Sequence, residues 1–347
     1  MSRIIKRAFA ETALQFVAGI FAFIALAAPS FATEDTSPIL ERTPCKFLFE
    51  KYDEWLAFMD EAPDPAWRSS AMRQLFDEAS FNRYRDQTSL SCDKLVYLND
   101  GLKINGFVIA PSIMDEPAPV VLFAHGGVAQ WGRITFFDLL EMHRLAERGY
   151  VVIASALRGE GGSEGAPNLG AGDRSDMLRL IDVAKHIDGA RASRIGVWGF
   201  SRGGGLGYRV LAETDEIETA VLIGAPSDLV NSERREEFHE HVYPGVVDSY
   251  EEDQDKALTE LSAAYWPERL SKKTPILLIH GADDVRVPVS NSLTMAEHLA
   301  RLDHPFRLVV PRDGSHTLIE HQQDVRDEMD RWLDAYLKPS SSSRPQQ

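Results

Sequence analysis

From Pro119 onward the chain alternates short, near-continuous apolar runs with longer stretches of helical period, and this alternation constrains the fold more than any other feature. The runs are PVVLFAHGG (119–127), YVVIASALRG (150–159), RIGVWGFS (194–201), TAVLIGAP (219–226), PILLIHG (275–281) and FRLVVP (306–311). Helical segments lie among them: FFDLLEMHRLAERG (136–149), SDMLRLIDVAKHIDG (175–189), GGGLGYRVLAET (203–214), MAEHLARL (295–302) and a last one from about Leu318 to Leu337. A strand that is apolar at nearly every residue has both faces covered, and strands alternating with helices form a parallel sheet. The expected class is therefore α/β, with a mostly parallel central sheet and helices on both faces. Ligands of such sheets bind at the carboxyl ends of the strands. Here those ends carry the glycine-rich turns.

Ahead of the repeat the pattern differs. KLVYLND (94–100) and LKINGFVIAP (102–111) alternate like strands about Asn99-Asp100-Gly101, an Asp-Gly hairpin signal. Residues 45–86 read as helical, with a break at Pro63 and Pro65. At the start, Arg3, Lys6 and Arg7 precede an apolar run, and Ser30 and Ala32 fit the −3 and −1 positions of a cleavage site after Ala32. That order is a secretory signal peptide's. An apolar run of about 16 residues falls short of the roughly 20 that cross a bilayer. The expectation is thus a periplasmic or secreted protein without stable membrane insertion, the alternative an uncleaved membrane anchor.

The domains expected are a signal peptide (1–32), a helical N-terminal extension (33–92), a catalytic domain (93–338) and a disordered tail (339–347). Residues 228–272 form an acidic, mostly helical insertion between two strands, where a lid would sit. Cys45 and Cys92 are the only cysteines. Export would allow them to form a disulfide pinning the extension to the main domain, the alternative being two buried thiols.

The chemistry centres on Gly199-Phe200-Ser201-Arg202-Gly203, between a buried strand and a helix. This is the pattern of a nucleophile elbow, a sharp turn that exposes a serine hydroxyl. A phosphate loop fits worse, since no Gly-Lys-Ser/Thr ending follows and Tyr208 occupies the third glycine position of a dinucleotide motif. A serine nucleophile needs a base and a carboxylate that orients the base. His316, glycine-preceded and past a strand, is the candidate base. Asp284 is the candidate acid in preference to Asp283, lying three residues after Gly281 and three before Val287. His125 and His280 close strands before glycine and read as loop braces; the remaining histidines read as structural or solvated. His239-Glu240-His241 does not share a helix face and reads as a lid segment rather than a metal site. Catalysis also needs oxyanion donors. These are expected from the N–H of Arg202 and from Gly127 or Val128, with Gly127 the first choice.

HGG (125–127), ALRGEGGS (156–163), GFSRGG (199–204), HGADDVRVP (280–288) and GSH (314–316) occur in this order. Together they resemble the α/β-hydrolase superfamily, and within it most closely the catalytic domain of the prolyl oligopeptidase family of serine peptidases. Dienelactone-hydrolase-like and acetyl-esterase-like proteins share most of these motifs. The resemblance spans roughly Leu95 to Leu337 and implies Ser201 as nucleophile, Asp284 as acid, His316 as base and Val287-Pro288 as support of the acid loop. Full-length members carry a β-propeller ahead of the hydrolase domain, where this chain has a short helical segment. Val128 stands where many members have proline, and Ala156-Leu157 where many have an aspartate and an aromatic residue.

With a formal net charge of −16, the chain is a poor partner for nucleic acid. The expected activity is serine peptidase chemistry on small peptides through an acyl-enzyme, with no cofactor and no metal. A carboxylesterase acting on small esters is the alternative, and a non-catalytic binding module the third reading. Oligomeric state is left open.

Overall fold

The computed structural model of the chain describes residues 37–45, 49–61, 73, 76–232 and 235–338. The expected signal peptide, the proline break at Pro63 and Pro65, and the expected disordered tail lie outside the described residues. In chain order the elements are β1 (Ile39–Pro44), α1 (Tyr52–Asp60), α2 (Glu78–Asp86), β2 (Leu90–Asn99), β3 (Leu102–Pro111), β4 (Ala118–Ala124), α3 (Phe136–Glu147), β5 (Val151–Ser155), α4 (Ala171–Lys185) and β6 (Ala190–Phe200). They continue with α5 (Arg202–Leu211), β7 (Ile217–Ile223), α6 (Arg235–His241), α7 (Gln254–Leu261), β8 (Ile276–Ile279), α8 (Ser290–Arg301), β9 (Phe306–Val309) and α9 (Gln322–Leu337).

The strands form one sheet in the order β1-β2-β3-β5-β4-β6-β7-β8-β9. Every pair from β5 to β9 along that order is parallel, whereas β1, β2 and β3 join antiparallel. The β2–β3 hairpin turns at Asp100 and Gly101, both at positive φ, as the Asp-Gly signal requires.

Side chains on a strand point alternately to the two faces, and the two main apolar clusters divide accordingly. Val120, Leu122 and Ala124 of β4 join the cluster that also holds Met177, Leu180, Leu206 and Met295 from α4, α5 and α8. Val121 and Phe123 join the opposite cluster, with Met142, Leu145, Met329 and Leu333 from α3 and α9. Because both faces are buried, the central strands carry almost no polar residues, and that made them legible in the sequence.

The order of the strands matters for the site. Leaving β4, the chain goes first to β5 on one side and then crosses to β6 on the other. The carboxyl ends of β4 and β6 are neighbours at this switch, so the loop after Ala124 lies beside the elbow after Phe200.

The expectation of a helical extension over 33–92 holds for Tyr52–Asp60 and Glu78–Asp86 and needs correction at its two ends. Residues 39–44 form an edge strand, paired with β2 from Ile39↔Tyr97 to Pro44↔Asp93, and β2 begins at Leu90, before the expected boundary. The strand escaped the sequence reading because it is short, lies between Pro38 and Pro44, and points most of its side chains to solvent. Those are the traits of an edge strand rather than a core one. The disulfide reading holds: Cys45 and Cys92 are bonded, with Cα atoms 5.3 Å apart, directly after β1 and within β2. Further on, Tyr52, Trp55, Leu56, Phe76 and Phe81 form a mostly aromatic cluster against Phe136 and Phe137 at the start of α3.

The disulfide closes a loop with a sequence separation of 47. Chain-entropy reasoning gives a stabilisation of about 4 kcal/mol for a loop of that size. The Cys45→Ser/Cys92→Ser variant should therefore melt several degrees below the wild type in differential scanning calorimetry. An unchanged Tm would show that the extension needs no covalent tie.

Candidate active site

Ser201 occupies the turn between β6 and α5 at φ 54° and ψ −123°, outside the region that L residues normally adopt. Its conformation is held from both sides: its N–H donates to Ile223 O at 2.8 Å, and its carbonyl accepts from Gly204 N–H at 2.8 Å. Gly203 has no room for a side chain, because a methyl group there would run into the Ala124 carbonyl at the end of β4. The bare backbone lets α5 press against the sheet directly below the serine.

His316 arrives on the loop after β9 and Asp284 on the loop after β8. His316 Nε2 lies 2.9 Å from Ser201 Oγ, and His316 Nδ1 lies 2.6 Å from Asp284 Oδ2. A carboxylate only accepts, so the imidazole carries its proton on Nδ1, and Nε2 is the acceptor for the serine hydroxyl. The three residues chosen from the sequence are thus brought together in one hydrogen-bonded chain. Asp283 is exposed, and its backbone N–H donates to Gly314 O at 3.0 Å.

The acid and base loops are stitched to each other. Besides the Asp283 contact, Ala282 N–H donates to Pro311 O at 3.1 Å, and Gly281 lies so close to the Gly314 and Ser315 carbonyls that a Cβ would collide with both. Asp284 Oδ1 accepts from the N–H groups of Arg286 (2.8 Å) and Val287 (2.9 Å). Burial pushes the Asp284 carboxyl up, but hydrogen bonds from His280, His316 and Val287 N–H outweigh it and hold the group well below the usual carboxylate range. Asp284 therefore stays ionised.

His280 braces its loop as expected and does more. Its Nε2 donates to Val287 O at 2.8 Å and lies 3.2 Å from Asp284 Oδ2, while its Nδ1 faces Ser292 Oγ at 2.7 Å. It locks the acid from behind. His125 also braces: Nδ1 donates to the Gly126 carbonyl at 2.8 Å.

That contact orients the loop after β4. Across a trans peptide, C=O and N–H point in opposite directions. With Gly126 O held by His125, the Gly127 N–H points away from the protein interior, and with Gly127 O held by Arg202 Nη1 at 2.7 Å, so does the Val128 N–H. Gly126 itself packs against the Ser201 side chain, with an added Cβ only 3.2 Å from Ser201 Cβ. The N–H groups of Gly127, Val128 and Arg202 have no protein acceptor among the described residues. These three N–H groups are therefore unpaired on the loop after β4 and at the start of α5.

The sequence points to Arg202 for its backbone N–H, and the structure adds a role for its side chain: the guanidinium is buried and paired with Glu160 and Asp173. Neither carboxylate was singled out, because each becomes a partner only when the loop after β5 and helix α4 fold over α5. Glycines around Glu160 at positive φ (Gly159, Gly161 and Gly162) were the one available signal.

The insertion packs its own apolar cluster of Tyr243, Val246, Val247, Tyr250, Leu258 and Leu261 against Val128 of the loop after β4. His239 is hydrogen-bonded to the Tyr250 hydroxyl, and His241 is exposed beside Glu240, so the two histidines do not converge.

Residues 135–340 match the prolyl oligopeptidase family. An uncharacterized peptidase of Bacillus subtilis, YtmA, is 26% identical over 216 residues, 61% of this chain and 80% of that protein. Acylamino-acid-releasing enzyme 1 of Oryza sativa is 25% identical over 78% of this chain, but the match spans only 36% of its length. Among solved structures, the acylaminoacyl peptidase of Pyrococcus horikoshii superposes with a TM-score of 0.64 at 22% identity, covering 78% of this chain and 45% of that one. The acetyl xylan esterase of Paenibacillus sp. R4 gives 0.56 at 21% identity, covering 73% and 86%. These superpositions establish the α/β-hydrolase fold.

Burial and the nearby Arg202 guanidinium push the His125 imidazole down to about 4. The unfolded chain protonates this group near pH 6.5, whereas the folded protein does not until about pH 4. Its contribution to stability is therefore full above pH 6.5 and is lost progressively as pH falls toward 4, up to about 3 kcal/mol. Guanidinium denaturation across that window should show a shallower decline for His125→Asn than for wild type. Parallel declines would show that this imidazole does not carry the acid sensitivity.

Proposed function

Since the chain belongs to the prolyl oligopeptidase family, we propose that it is a serine peptidase that cleaves small peptides through an acyl-enzyme formed on Ser201. The observation that carries this reading is the continuous hydrogen-bonded path from Ser201 Oγ through His316 to Asp284, beside outward-facing N–H groups.

As Ser201 Oγ attacks the carbonyl carbon, its proton passes to His316 Nε2, and Asp284 stabilises the imidazolium that forms. The carbonyl oxygen becomes an oxyanion and is received by the N–H of Arg202 with that of Gly127 or Val128. His316 then returns the proton to the leaving amine, and the C–N bond breaks. A water, deprotonated in turn by His316, attacks the acyl-serine and releases the acid. The fixed donors need no reorganisation during either step, which is where such sites gain most of their rate.

Peptides are preferred as substrates because the family is one of peptidases and relatives such as YtmA carry that name. The ester reading draws on the acetyl xylan esterase likeness and uses the same atoms with an alcohol as leaving group. The insertion, seated on Val128, is proposed to restrict access to short substrates. Export is part of the same proposal, supported by the Cys45–Cys92 disulfide, a bond that persists in oxidising compartments.

A fluorophosphonate probe should label the wild type and leave Ser201→Ala unlabelled. Ser201→Ala and His316→Ala should each lose about 10⁴-fold or more in kcat. Equal labelling of Ser201→Ala would overturn the assignment of the nucleophile. Comparing kcat/KM on a short peptide anilide and on a p-nitrophenyl ester then decides the substrate class: ester turnover without anilide turnover would replace the peptidase reading by the esterase one.

A further inference from the structure

We propose that the Arg202 side chain, anchored by Glu160 and Asp173, is a positioning residue that holds the oxyanion loop with its N–H groups turned toward Ser201. The proposal rests on the reading that these N–H groups receive the oxyanion.

Arg202 is the first residue of α5, yet its side chain runs back beneath the loop that follows β4. Nη1 donates to Gly127 O at 2.7 Å and to Glu160 Oε2 and Oε1 at 2.8 and 3.0 Å, while Nη2 donates to Asp173 Oδ2 at 2.6 Å. Glu160 reaches the same loop independently: its Oε1 accepts from Ala129 N–H at 2.7 Å. Its carboxyl group also sits against Gly132, where any Cβ would collide with it. One buried cluster therefore touches the loop at Gly127, Ala129 and Gly132, and its contact with Gly127 O fixes the peptide group that carries the Val128 N–H.

Stability alone is a poor reason for such a cluster. Arg202, Glu160 and Asp173 are 9%, 3% and 0% exposed, and buried ion pairs of this kind hold a fold together no better than apolar packing of the same volume. Geometry is a better reason. If the Gly127 carbonyl turned outward, its peptide would swing the Val128 N–H inward and replace a donor by an acceptor at the site of the oxyanion. Arg202 Nη1 prevents that rotation. A guanidinium suits the task because its rigid fork serves the loop and Glu160 with one nitrogen and Asp173 with the other. A lysine has one nitrogen and cannot span all three. The nucleophile's neighbour thus contributes twice, through a backbone donor and by setting the direction of the opposing one.

The test uses the full-length, disulfide-bonded protein and three variants: Arg202→Lys, Glu160→Gln, and Arg202→Gln/Glu160→Gln, which removes one positive and one negative buried charge together. Hydrogen exchange read by mass spectrometry should show residues 125–135 exchanging at least about 10-fold faster in Arg202→Lys, with 118–124 and 322–337 unchanged. On a p-nitrophenyl ester, kcat should fall about 10- to 100-fold while KM moves less than about 3-fold, since a misaligned donor weakens the transition state rather than the ground state. Binding of a peptidyl trifluoromethyl ketone, whose adduct places an oxyanion in the hole, should weaken by the same factor as kcat. Glu160→Gln should give an intermediate effect, because Arg202 still reaches Gly127. Unchanged exchange in 125–135, or a lowered Tm with kcat intact, would overturn the proposal and leave the cluster as a tie between α4 and α5. Should the double variant fail to fold, Arg202→Lys and Glu160→Gln decide alone. If wild type neither turns over ester nor binds the ketone, the catalytic reading falls, and the exchange data still report whether Arg202 orders the loop.

Discussion

Ser201 holds its backbone at φ 54° and ψ −123°, a conformation that costs a non-glycine residue about 1–3 kcal/mol, and the surrounding packing has to keep it there. What keeps it is the close approach of α5 to β4 and β7. The Ser201 N–H is fixed to Ile223 O, and the first turn of α5 lies against the carbonyl at the end of β4 because Gly203 carries no side chain. Glycine inside a helix lowers its propensity by about 1 kcal/mol relative to alanine. Here α5 tolerates that penalty because it is buried along its whole length against the sheet. The hydroxyl stands clear of the strand ends as a consequence, within reach of whatever the neighbouring loops present.

Two supports bring the rest of the site to that hydroxyl, and they work differently. The acid and base loops are held by neutral hydrogen bonds between their backbones, with His280 packed behind Asp284. The loop after β4 is held from beneath by charge, through Arg202, Glu160 and Asp173, and by the His125 ring. A charged support depends on every member being present, since removing one partner leaves a buried charge uncompensated.

The parts of the chain outside the central repeat converge on the same loop. The aromatic cluster of the N-terminal extension covers Phe136 and Phe137, just past the loop, and the insertion's apolar cluster covers Val128 within it. Residues 128–137 therefore lie between two additions to the central sheet.

The core strands and the three residues of the hydrogen-bonded chain were legible because their signals are local. A strand buried on both faces is apolar at nearly every position, as in Val120–Ala124, and an elbow needs glycines at fixed offsets, as at Gly199 and Gly203. Asp284 could be separated from Asp283 by its spacing from Gly281 and Val287, since the turn itself dictates which side chain faces inward. By contrast, β1 was hidden because an edge strand between prolines has no buried face to pattern it. Cys45 and Cys92 could be proposed as a pair, but only the antiparallel register of β1 on β2 brings their Cα atoms to 5.3 Å. Glu160 and Asp173 lie on separate segments of the chain from Arg202, and nothing short-range links them. The sequence by itself determined the sheet, the elbow and which serine, aspartate and histidine meet there, because each follows from neighbours a few residues away. Only the tertiary structure decided what holds the loop after β4, because that depends on buried charges meeting across 29 and 42 residues of chain.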